Sequence, residues 1–194
     1  MIKAIIFDFF GVIGQSTYAM MNEQFNLSEN QKAQLKDLHK ALDYEFIRNK
    51  DFLNDYAKVA GVSLDQVKQI YNNSNQRFST MPQMLEYIVD LKKTYKIALL
   101  SNVSSEAYHQ FIKPIKDYFD VVVTSYQVQL AKPERAIFEY CANQLGVDPS
   151  ECIMIDDSLI NCEGAGTAAM QSIQYKNFIQ LKTDLGALLA DSNN

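Results

Sequence analysis

The stretch IIFDFFGVI, residues 5–13, is an apolar run with one carboxylate, Asp8, set between Phe7 and Phe9. A short continuous apolar run fits a strand buried on both faces of a parallel sheet. An ionised carboxylate at the end of such a strand is costly unless a cation or hydrogen bonds compensate it. Asp8 is therefore either a simple loop cap or part of a functional site. The other strand ends decide between the two.

Working outward, apolar β-rich runs occupy 3–8 (KAIIFD), 96–101 (KIALLS), 120–124 (DVVVT), 152–156 (CIMID) and 170–174 (MQSIQ). Helix-like segments lie between the later ones, including 81–94, 104–118 and 134–145, with Gly146 as a helix stop and Pro149 in the loop beyond. This alternation predicts an α/β fold, an open parallel sheet of Rossmann-like type with right-handed crossovers. Residues 15–80 break the pattern. They hold no convincing strand and read as helices over 28–41, 43–59 and 63–79, with Ser63 and Gln66 spaced as a capping box. Pro82 opens the next helix. The expected organisation is a core domain of 1–14 and 81–194, with an all-helical cap domain of 15–80 inserted after the first strand.

Composition narrows the function. The chain has 194 residues, 47% of them hydrophobic, enough for a proper core and unlike the composition of a disordered chain. The net charge of −5 with no basic block predicts no nucleic-acid partner. Cys141, Cys152 and Cys162 form an odd set without a C-x-x-C pair, which fits buried reduced thiols rather than disulfides or a cysteine metal site. No run reaches the length of a membrane span, and nothing resembles a leader peptide. The expectation is a cytoplasmic protein, monomer or homodimer, that stays off the membrane.

Ligands of open α/β sheets bind outside the carboxyl ends of the strands. Strand one delivers Asp8 there, strand two Ser101 and Asn102, strand four Asp156 and Asp157, and the loop after strand three carries Lys132. A carboxylate nucleophile, a small hydroxyl, a lysine and an acidic pair make a phosphoryl-transfer set. An oxygen nucleophile and a phosphate dianion repel each other, so a cation must bridge them. Mg²⁺ takes one or two carboxylates plus the substrate phosphate, here from Asp8, Asp156 and Asp157. Lys132, Ser101 and Asn102 would hold the remaining phosphate oxygens, and aspartate is able to form an aspartyl phosphate. His39 and His109 sit in helix-like segments and read as packing or surface groups. Arg48 and Arg77 are cap cations, Phe10 and Tyr18 candidate pocket walls, and Asn161 a support for the acidic pair.

In sequence order, FDFFGVI, LLSN, AKPE and MIDDSLIN resemble the four motifs of the haloacid dehalogenase (HAD) superfamily, over nearly the whole chain. KPERAIF and IDDSLINCEGA are most similar to its small-molecule phosphatases with a small helical cap. That resemblance implies Asp8 as nucleophile, Ser101 and Lys132 as catalytic phosphate-binding groups, and Asp156 and Asp157 as metal residues. It also implies a Mg²⁺ cofactor and a small phosphorylated metabolite, such as a sugar phosphate, as substrate. Phe10 departs from the pattern. Most phosphatases of the superfamily carry Asp there as acid and base, and its main-chain carbonyl binds the metal, which Phe10 retains. Unless another group replaces that acid, rates should depend steeply on leaving-group pKa. Two alternatives stand beside the phosphatase: a 2-haloacid dehalogenase using the same aspartate, and a non-catalytic binder of phosphorylated ligands.

Overall fold

The computed structural model describes residues 1–15, 17–44, 46–77 and 80–191, apart from the side chains of Thr17, Gln76 and Arg77. The Arg77 side chain named above, and the last two residues of the expected 63–79 helix, lie outside the described residues. Five strands, β1 (Ala4–Phe7), β2 (Lys96–Ser101), β3 (Val121–Thr124), β4 (Cys152–Asp156) and β5 (Gln171–Gln174), form one parallel sheet in the order β3-β2-β1-β4-β5. All five expected strands are present. Helices α1 (Thr17–Asn22), α2 (Glu29–Asp43), α3 (Asn49–Ala60), α4 (Leu64–Arg77) and α5 (Pro82–Leu91) follow β1. Two short helices, α6 (Ser105–Ala107) and α7 (Ser125–Val128), lie on either side of β3, and α8 (Arg135–Leu145), α9 (Leu159–Thr167) and α10 (Phe178–Asp191) complete the chain.

Side chains alternate along β1, so each face of the sheet has its own core. Ile5 and Phe7 pack with Met84 and Ile88 of α5 and Leu181 and Leu185 of α10. Ala4 and Ile6 pack with Ile137, Phe138 and Cys141 of α8 and Ala165 of α9. Every residue of β1 is fully buried, which accounts for its unbroken apolar sequence. The three cysteines are buried free thiols. In register, Phe7 pairs with Leu99 on one side and Ile155 on the other. Asp8 therefore emerges from the central strand between the ends of β2 and β4.

The segment expected as one helix over 104–118 is irregular. Only Ser105–Ala107 is α-helical; Tyr108–Ile112 forms a wider π turn and Lys113–Tyr118 a tighter 3₁₀ helix. Pro114 lacks an N–H and cannot continue an α ladder. The helices after β1 fare better. Ser63 and Gln66 form the expected reciprocal bonds, and Ser28 and Gln31 form a second capping box at α2. Their apolar faces enclose a separate cluster that includes Met21, Leu35, Leu42, Phe52, Tyr56 and Val67. Pro82 occupies the first turn of α5, where its missing N–H costs nothing.

Chain exit and return lie side by side. Gly14 bridges Thr80, and the Met81 N–H donates to the Ile13 carbonyl at 2.9 Å. Three polar contacts then hold the α2–α3 junction over the carboxyl end of the sheet. The Tyr44 hydroxyl donates to Glu134 Oε1 at 2.7 Å, the Ser125 hydroxyl to the Asp43 carbonyl at 2.8 Å, and Asn49 Nδ2 to Glu106 Oε1 at 3.1 Å.

Candidate active site

The turn after β1 aims Asp8. The Phe9 carbonyl accepts from the N–H groups of Ile13 and Gly14, each at 2.9 Å, which folds residues 9–14 into a tight loop. Gly11 sits in it at φ +86°, a conformation that other residues rarely adopt, and a Cβ there would overlap the Asp157 carboxylate. The loop thus brings the end of β1 against the end of β4. Asp8 Oδ1 accepts from the Phe9 N–H at 2.6 Å and pairs with Lys132 Nζ at 2.8 Å. Among the described residues no hydrogen bond falls on Asp8 Oδ2.

Lys132 is 3% exposed and sits between two acids, 2.6 Å from Asp156 Oδ2 and 2.8 Å from Asp8 Oδ1. Burial alone would lower its pKa, but Asp156 and then Asp8 outweigh it and hold the ammonium above the usual lysine range. Asn102 fixes the loop that carries it. Its Nδ2 donates to the Lys132 carbonyl and its Oδ1 accepts from the Lys132 N–H, both at 2.9 Å. The Asn102 side chain, expected among the phosphate contacts, is engaged at both ends in positioning Lys132.

Asp156 is fully buried and fully engaged. Oδ1 accepts from the Ser158 N–H and from Asn161 Nδ2, and Oδ2 accepts from Asn161 Nδ2 and Lys132. Asp157 is exposed at the mouth. Asp8, Asp156 and Asp157 present carboxylate oxygens that all lie within 4.8 Å of one another. Burial raises the Asp8 pKa most, Lys132 opposes, and Asp156 and Asp157 add to the rise, to about 7. Burial and Asp156 likewise raise Asp157. Such an all-oxygen, electron-rich group fits a hard dication such as Mg²⁺.

Ser101, at the end of β2, is 1% exposed, and its Oγ has no hydrogen-bond partner among the described residues. A buried hydroxyl without a partner costs about 1–3 kcal/mol. It lines a cavity of about 380 Å³ together with Asp8, Phe10, Lys132 and Asp157. Asn102 and Asn161 lie on the same wall, and the helical insertion after β1 supplies Tyr18, Lys36 and Asp43. Six of the seven sequence-predicted site residues therefore line one cavity, and the seventh, Asp156, lies buried behind it against Lys132. The Phe10 ring packs edge-on against Phe111, with centroids 6.0 Å apart. A larger hollow of about 830 Å³ opens at the opposite end of the sheet, beside Lys3, Lys92 and Lys96, and holds none of these residues.

His39 is packed among cap aromatics, its ring 4.2 Å from Tyr18 between centroids, and His109 is exposed. Arg48 is exposed at the start of α3. Lys36 and Asp43 were missed by the sequence reading. Their spacing of seven puts both on one face of α2, a signal that was available.

Residues 2–168 match the family model described as haloacid dehalogenase-like hydrolase. D-ribitol-5-phosphate phosphatase of Bacteroides thetaiotaomicron is 27% identical, covering 97% of this chain and 99% of that protein. A solved HAD family enzyme from the same species, in complex with magnesium and inorganic phosphate, superposes with a TM-score of 0.69 at 25% identity. That match covers 91% of this chain and 95% of the solved one. A HAD-like family hydrolase of Porphyromonas gingivalis shares the fold with a TM-score of 0.71 at 23% identity, over 95% of this chain and 98% of its own.

Proposed function

This chain belongs to the haloacid dehalogenase-like hydrolases, and we propose that it is a Mg²⁺-dependent phosphatase releasing phosphate from a small polyol or sugar phosphate through an aspartyl phosphate on Asp8. The observation that carries this reading is the Ser101 hydroxyl, buried and without a partner beside Asp8 and Lys132. A phosphate oxygen supplies that partner. The substrate class is supported by the likeness to D-ribitol-5-phosphate phosphatase along nearly the whole length of both proteins.

Each side chain then has a definite task. The bonds on Asp8 Oδ1 orient the carboxylate and leave Oδ2 to attack phosphorus. Lys132, held by Asn102 and Asp156, places a fixed positive charge on the transferring phosphoryl group, so positioning and electrostatics supply most of the catalysis. Asp8, Asp157 and the Phe10 carbonyl would hold Mg²⁺, with Asp156 adding negative charge behind them. The bound dication offsets repulsion between the Asp8 carboxylate and the substrate dianion. The dehalogenase alternative would set Asp156 and Asp157 against the carboxylate of a haloacid, which disfavours it. Three buried free thiols support a reducing compartment, the cytoplasm. No helix among the described residues is long and apolar enough to cross a membrane.

Polyol and sugar phosphates assayed with and without Mg²⁺ test the reading. Phosphate release that requires the metal is expected. Chelator-resistant release, or metal-independent chloride release from 2-chloropropionate, would contradict it.

A further inference from the structure

Phe10 removes the acid that most phosphatases of the superfamily place two residues after the nucleophile, yet the mouth is not short of carboxyl groups. Asp43, the last residue of α2, lines the same cavity as Asp8 and Lys132 although it comes from the cap. Its backbone is anchored to the core, since the Asp43 carbonyl accepts from the Ser125 hydroxyl at 2.8 Å and the neighbouring Tyr44 hydroxyl reaches Glu134. Its carboxylate has neither a hydrogen bond nor an ion pair among the described residues. The position is also a poor one for a structural acid. The C-terminal end of a helix carries negative partial charge, which repels a carboxylate.

We propose that Asp43 is the catalytic acid and base of this enzyme, supplied by the cap in place of the group missing at position 10. The proposal rests on the phosphatase reading above and adds a residue to it. As Asp8 bonds to phosphorus and the phosphorus–oxygen bond to the leaving group breaks, the Asp43 carboxyl gives its proton to the departing oxygen, which leaves as an alcohol. The Asp43 carboxylate then takes a proton from the attacking water as its oxygen bonds to phosphorus. The bond from phosphorus to Asp8 breaks, which frees phosphate and restores both acids. Burial above all, and then the negative charge of Asp8, raise the Asp43 pKa well above the usual carboxylate range, with Lys132 opposing. A carboxyl whose pKa is raised suits the proton donation of the first step.

The test compares 4-nitrophenyl phosphate, phenyl phosphate and the best alkyl phosphate of the metabolite screen, with Mg²⁺ present. The wild type should show a shallow dependence on leaving-group pKa. Asp43→Asn, which keeps the carbonyl anchor and the side-chain shape, should lose roughly a hundredfold or more on the alkyl phosphate, the usual scale of general acid catalysis. It should lose only a few-fold on 4-nitrophenyl phosphate, whose leaving group needs no proton. Adding Phe10→Asp to Asp43→Asn should restore the alkyl phosphate preferentially. An unchanged alkyl-to-aryl ratio in Asp43→Asn would overturn the role of Asp43 alone. A wild type inactive on every phosphate would overturn the phosphatase reading and this proposal together.

Discussion

Asn102 and Lys132 are joined by two reciprocal hydrogen bonds of 2.9 Å, side-chain amide to main-chain N–H and carbonyl. This small ring ties the loop after β3 to the end of β2, and so sets the distance between Lys132 and Ser101. Asn102→Ala should leave both main-chain groups of Lys132 without partners, at about 1–3 kcal/mol of stability each. It should also let the ammonium drift. A misplacement on the order of 1 Å costs roughly a hundredfold in rate. Steady-state kinetics and urea unfolding of the variant check both effects, and full activity in Asn102→Ala would refute the positioning role.

Gly164 lies in α9 directly under that loop. A Cβ at this position would stand 2.5 Å from the Pro133 carbonyl oxygen and 2.8 Å from its Cβ, so backbone must move. Gly164→Ala should therefore push the Lys132–Pro133 segment outward and lower activity despite alanine's better helix propensity, worth about 1 kcal/mol. Gly166, in the same helix, has open space around it. Gly166→Ala is the control and should keep its activity. Equal behaviour of the two variants would show that Gly164 does not set the position of the Lys132–Pro133 segment.

Much of this arrangement was legible in the sequence because strands of a parallel sheet deliver their last residues to one edge. Asp8, Ser101 and the Asp156–Asp157 pair each close an apolar run, and Lys132 follows a fourth such run by a loop, so their meeting needed no tertiary detail. Asp43 was not legible in that way. It ends a helix, and which way α2 crosses the mouth depends on the Ser125 and Tyr44 contacts with the core. The engagement of Asn102 was hidden for a similar reason, since its partner lies thirty positions along the chain. The irregular turns over Tyr108–Tyr118 trace to Pro114, a signal present in the sequence but outweighed there by the apolar spacing around it.

The metal residues should separate from the phosphate residues. On the proposed assignment Asp157→Ala removes an anionic ligand at the mouth and should weaken Mg²⁺ binding strongly. Ser101→Ala removes the unpartnered hydroxyl proposed to bind phosphate and should leave Mg²⁺ affinity close to wild type while raising KM. Isothermal titration with Mg²⁺ alone, set beside kinetics, distinguishes them. Equal metal affinities in the two variants would refute the division.

The helical insertion after β1 should respond to pH through His39. Its Nε2 is enclosed without a partner among the described residues, and burial lowers its pKa from 6.5 to about 4. The unfolded chain then binds more protons than the folded one between these values. Stability is full above pH 6.5 and falls as the pH drops towards 4, by about 3 kcal/mol at most. His39→Phe keeps the ring between Tyr18 and Phe52 and should flatten the dependence from pH 6.5 to 5. Hydrogen exchange of cap amides reads this directly. An unchanged slope in the variant would show that other groups cause it.

The proposed mechanism requires that Asp8 become phosphorylated. Rapid acid quench during turnover of an aryl phosphate with Mg²⁺, followed by peptide mass spectrometry, reads the adduct on the peptide that carries Asp8. A phosphoryl group on Asp8 of the wild type is expected, formed and lost at rates compatible with turnover, with neither adduct nor turnover in Asp8→Asn. Turnover near the wild-type rate in Asp8→Asn, or an unmodified Asp8 throughout wild-type turnover, would contradict it.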